Sequence, residues 1–81
     1  MKNTEKAKRV IQTIRETESL LEKAKKNYQD TIAVLKMEIA ENGSNKELNK
    51  PWVEYALQDK KVVDNYKAHI ERLQNMLAAL A

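Results

Sequence analysis

One histidine, three tyrosines, fifteen basic and twelve acidic side chains are the groups through which this 81-residue chain could do chemistry. Four of them recur at related spacings: Lys25 and Tyr28 in the first half, Tyr66 and His69 in the second. A cation, two phenols and an imidazole gathered in one place would hold an anionic ligand or a partner's acidic side chain. Catalysis asks for more than this. A histidine acting as general base needs a nucleophile or a substrate-positioning group within reach of its ring, and neither is identifiable. Metal sites need several ligands at fixed spacing, which a lone histidine without cysteine does not supply. The chain has no cysteine, so thiolate chemistry and disulfides are excluded. No glycine-rich phosphate loop and no Ser/His/Asp arrangement occurs. We therefore expect no enzyme activity, no catalytic residues, no cofactor and no metal.

Basic residues crowd the first third of the chain. Lys2, Lys6, Lys8 and Arg9 head the series, followed by Arg15, Lys23, Lys25 and Lys26. The first four are candidate phosphate contacts, and a nucleic-acid-binding regulator is one alternative function; a small anionic-ligand binder is another. The net charge of +3 is modest. Glu5 lies four residues before Arg9 and Glu22 four before Lys26, the spacing of helix-surface ion pairs worth a few tenths of a kcal/mol. No apolar run approaches the roughly 20 residues that cross a bilayer. The opening "MKNTEKAKRV" has no apolar stretch behind its lysines and does not read as a secretory signal. A cytoplasmic protein is expected, one that makes no use of a membrane.

These side chains must be positioned by helices. One glycine and one proline, with 33% charged residues, is a composition of long helices or coiled coils. Apolar residues in the first segment recur in alternating steps of three and four, a heptad rhythm. The expected seam joins Ala7, Ile14, Leu21, Tyr28 and Leu35 to Ile11, Glu18, Lys25, Ile32 and Ile39. In the second segment it runs Trp52, Ala56, Asp59, Val63, Tyr66, Ile70, Leu73, Leu77, Leu80. Glu18, Lys25 and Asp59 stand out, because a buried unpaired charge is costly. They either set the register, as polar seam residues do in coiled coils, or serve function. Beside the second seam lies another stripe at seven-residue spacing: Tyr55, Val62, His69 and Met76. So wide an apolar face suits a bundle of three or four helices. Val10, Leu20, Val34 and Met37 lie off the first seam and add to it.

Between the segments, "AENGSNKELNKPW" holds both breakers. Gly43 suits a helix stop. Ser44 with Glu47 forms a capping-box pattern, and Pro51 suits the first turn of a new helix. The expected fold is all-α, a single domain over residues 1–81. It is an antiparallel two-helix hairpin with a long helix over about 4–42, a short turn over about 45–49 and a helix over about 51–80, dimerising into a helical bundle. Asn3 or Thr4 is expected to cap the first helix. In the expected register Ile14 meets Leu80, Leu21 meets Leu73, Ile32 meets Val63 and Leu35 meets Asp59. Residues 4–12 then overhang, and Ala7, Val10 and Ile11 await a partner. Trp52 and Tyr55 join them as candidate partner contacts, because Trp and Tyr dominate binding hot spots. The function expected is that of a small non-enzymatic interaction protein, a regulator, inhibitor or assembly factor, acting as a homo-oligomer on another protein.

Overall fold

The computed structural model describes residues 2–43 and 45–81, the side chain of Lys2 excepted. Two helices make up the fold: α1 spans Lys2–Asn42 and α2 spans Lys46–Leu80. They pack antiparallel as a rod of 61 × 15 × 13 Å. No proline or glycine interrupts α1, and Ala, Leu, Lys and Glu favour the helix along it. At 1.5 Å per residue its 41 residues account for the rod's whole length. The helix is already running at Lys2, so Asn3 and Thr4 lie inside it and do not cap it.

The corner is tighter than expected. Gly43, at φ +65°, ends α1 in the left-handed region that costs glycine nothing. Only residues 43–45 connect the helices. Ser44, the expected cap, lies outside the described residues. Asn45 caps α2 instead: its side-chain oxygen accepts from the backbone N–H groups of Glu47 and Leu48 at 3.1 and 3.3 Å. Buried Asn49 donates from Nδ2 to the Gly43 carbonyl at 3.1 Å and ties the first turn of α2 to the corner. The expected separate turn over 45–49 is thus the first part of α2, and Pro51 lies within the helix rather than at its start. Proline here removes one intrahelical N–H, the one that would reach the Glu47 carbonyl. The Asn45 cap and the Asn49 bond anchor the turn on the other side of that gap.

The short corner resets the register. With Asn42 and Lys46 flanking the turn, each α2 residue lies one to two helical turns earlier along α1 than expected. Ile14 accordingly packs with Val10 and Leu73, and Leu21 and Ala24 pack with Val63. Thr31, not Leu35, meets Asp59, donating its hydroxyl to Oδ2 at 2.6 Å.

The inner face of α2 is the expected one, with Ala56, Val63 and Leu73 buried and Trp52, Asp59, Tyr66, Ile70, Leu77 and Leu80 half-buried. The inner face of α1 is rotated. Ile14, Leu21, Tyr28 and Leu35 stay inward. Their partners are Val10, Thr17, Ala24, Thr31 and Glu38, in place of Ile11, Glu18, Lys25, Ile32 and Ile39. Energetics explains the choice. The expected face would bring two charges to mid-seam, each costing several kcal/mol when desolvated. The observed face forgoes part of the roughly 1.5–3 kcal/mol available from burying each isoleucine, but puts only the terminal Glu38 inward. Thr17, 5% exposed, satisfies its own hydroxyl by donating to the Thr13 carbonyl at 2.7 Å.

Candidate functional site

Two open grooves flank the line where the helices meet. In an antiparallel pair, the residues just before the Ile14 series on α1 share a groove with those just before the Ala56 series on α2. Leu20, Lys23, Asn27, Asp59, Val62 and Tyr66 line one such groove of about 220 Å³, floored by Ala24. Glu18, Glu22 and Lys25 of α1 line the other, with Ile70 and Gln74 of α2.

The four residues of the expected ligand patch divide between these grooves. Tyr28 and Tyr66 both pack on the Leu21/Ala24/Val63 cluster. Lys25 lies in the second groove, where Nζ is 3.6 Å from Glu22 Oε1. Tyr66 lines the first groove. His69 is exposed three residues further along α2, on that same side. The structure brings the tyrosines together and leaves the lysine and the imidazole on opposite flanks. This follows from the rotation of α1, which turns Lys25 out of the seam.

The seam charges resolve by the same rotation. Glu18 is exposed and Lys25 only half-buried, so water solvates both. Asp59 alone remains inside, held by Thr31.

The expected overhang is shorter than the sequence suggested. Val10 is buried by α2, packed with Ile14 and Leu73 and flanked by Leu77 and Leu80. Ala7 is half-buried and Ile11 is 37% exposed. Trp52 and Tyr55 do form a unit: their rings meet edge to face at 5.6 Å and 72°. Such pairs add about 0.5–1.5 kcal/mol beyond burial. Trp52 is half-buried, whereas Tyr55 is 54% exposed. Lys6, Lys8 and Arg9 are exposed near the N-terminal end of α1, with Glu5 among them; the side chain of Lys2 lies outside what is described.

The exposed apolar surface is wider than the stripes marked in the sequence. Ten large hydrophobic side chains are at least one-third exposed, Leu57 and Met37 the most. Leu48, Val53 and Leu57 are not among the residues the sequence marks on α2, which are the seam and the row Tyr55, Val62, His69 and Met76. Among the described residues no helix is long and apolar enough to cross a membrane, and no group of three acidic or histidine side chains converges as a metal site would require. No protein-family model, curated protein or solved structure matches the chain.

Proposed function

We propose that this chain is a non-enzymatic interaction protein, a helical hairpin that associates with copies of itself and acts on another protein through its helix faces. Small regulators, inhibitors and assembly factors work in this way. The observation that carries the reading is a shortfall of burial. A compact monomer of 9.4 kDa exposes about 5,000 Å², whereas this hairpin exposes 6561 Å². Among the described residues no large side chain is fully buried. Two helices side by side have no third layer to close the core, and chains of this size without disulfide or metal commonly gain it by association. The grooves are open along their length, which suits a docking face better than enclosure of a substrate.

The reading predicts an apparent stability that rises with protein concentration, because association stabilises by mass action. Thermal unfolding over a hundredfold range of concentration measures this. A midpoint independent of concentration, in a well-folded chain, refutes the reading. Phosphate binding by Lys6, Lys8 and Arg9 is a second proposal, supported by their exposure. It requires nucleic-acid affinity that falls steeply with salt.

A further inference from the structure

The two flanks of the hairpin differ in chemistry. On the flank of the 220 Å³ groove, α1 presents Thr13, Leu20, Asn27 and Val34 at seven-residue spacing. Beside them α2 presents Leu48, Tyr55, Val62, His69 and Met76 at the same spacing. None of these nine side chains is a carboxylate, ammonium or guanidinium, in a chain that is 33% charged. Leu20, Leu48, Tyr55, Val62 and Met76 are all more than 40% exposed. On the opposite flank the corresponding rows are interrupted by charge: Ile11, Glu18, Lys25, Ile32 and Ile39 on α1, and Val53, Lys60, Lys67 and Gln74 on α2. Two of the residues lining the groove itself are charged: Asp59, whose Oδ2 already accepts the Thr31 hydroxyl, and Lys23.

The ends of the rod carry opposite charge. Around the corner, residues 31–59, five acidic side chains outnumber three basic ones. At the open end, residues 2–20 with 71–81, six basic side chains outnumber four acidic ones. The α1 stripe itself is bounded by Lys6 at one end and Glu41 at the other. A face of 61 by 15 Å offers about 900 Å² per chain, above the roughly 800 Å² per partner of a standard stable interface.

We infer that a second copy of this chain docks on the flank of Leu20, Tyr55, Val62 and Met76, turned end for end about a two-fold axis through the middle of the rod. The inference rests on the self-association proposed above and names its face and direction. End-for-end packing sets the acidic corner of each copy over the basic open end of the other; packing in the same direction would set like on like. The product is a four-helix bundle whose third and fourth helices cover the exposed apolar stripe. The mixed-charge flank, with Glu18, Lys25, Lys60 and Lys67, stays in water.

Analytical ultracentrifugation of the wild type and three charge insertions tests the face, with circular dichroism confirming that each remains helical. Leu20→Lys and Val62→Lys are expected to give monomers, weakening association at least tenfold. Val53→Lys, equally exposed on the other flank, is expected to leave association unchanged. A wild type that is itself monomeric overturns self-association and this inference with it. An associating wild type that loses its partner with Val53→Lys, and keeps it with Val62→Lys, overturns the face alone. Cysteine cross-linking tests the direction, and it also tests the face should a lysine variant unfold. The chain has no native cysteine. Under mild oxidation Leu20→Cys, two residues from the middle of α1, is expected to form a covalent dimer, while Thr13→Cys, towards the open end, stays single. A self-linked Thr13→Cys overturns the end-for-end arrangement, and failure of Leu20→Cys to link overturns the face.

Discussion

Asp59 is the one carboxylate that both the sequence and the structure place in the middle of the seam, and Thr31 accounts for its tolerance. A 2.6 Å hydrogen bond from the threonine hydroxyl to Oδ2 crosses between the helices. Removing the donor leaves a partly desolvated carboxylate, so Thr31→Val should destabilise the hairpin by about 1 kcal/mol, at the lower end of the usual range because Asp59 is only half-buried. Replacing both partners together, as Thr31→Val with Asp59→Leu, should recover that loss or more, because no polar group is then left unmet. Urea denaturation of the two variants measures the difference. Gly43 is the other residue with a defined role. Nothing lies within 4 Å of where a Cβ would stand, so Gly43→Ala meets no steric obstacle. The cost is purely conformational, about 1–2 kcal/mol for an alanine held in the left-handed region, and is read from the same denaturation curves.

At the scale of elements, the two helices, their antiparallel packing and the inner face of α2 from Trp52 onwards are legible in the sequence, but buried Asn49 is not. That face was legible because its heptad offers one apolar choice. On α1 two neighbouring faces compete, both containing Ile14, Leu21, Tyr28 and Leu35. Isoleucine content favours one, avoidance of Glu18 and Lys25 the other, and periodicity does not weigh desolvation against apolar area. The corner misled for a different reason. Pro51 and the Ser44/Glu47 pattern are good start signals, yet Asn45 supplies the cap and lets α2 begin six residues before the proline is passed. Shortening the corner then moved the cross-helix pairs by one to two turns, and with them the candidate patch at Lys25, Tyr28, Tyr66 and His69. Two substitutions follow. Asn45→Ala removes the acceptor for two backbone N–H groups and should cost about 1 kcal/mol. Pro51→Ala restores a missing intrahelical bond and should raise stability by about 1–2 kcal/mol. A Pro51→Ala variant less stable than wild type would show that the proline sits where the helix truly starts.

The whole molecule is a rod two helices thick, and its proportions pose the problem that its function must answer. Its exposed surface includes large apolar side chains pointing away from the seam, among them the Tyr55, Val62 and Met76 stripe. That stripe was already visible in the sequence as a second apolar row. The structure adds that its neighbours on α1, Leu20 and Val34, share its flank and that no charge interrupts the row. Self-association is therefore the central claim, and the mass in solution tests it most directly. Sedimentation equilibrium at micromolar concentration should return about 19 kDa, twice the 9.4 kDa of one chain. A folded, helical species that sediments as 9.4 kDa at every concentration up to that used for unfolding studies would contradict it.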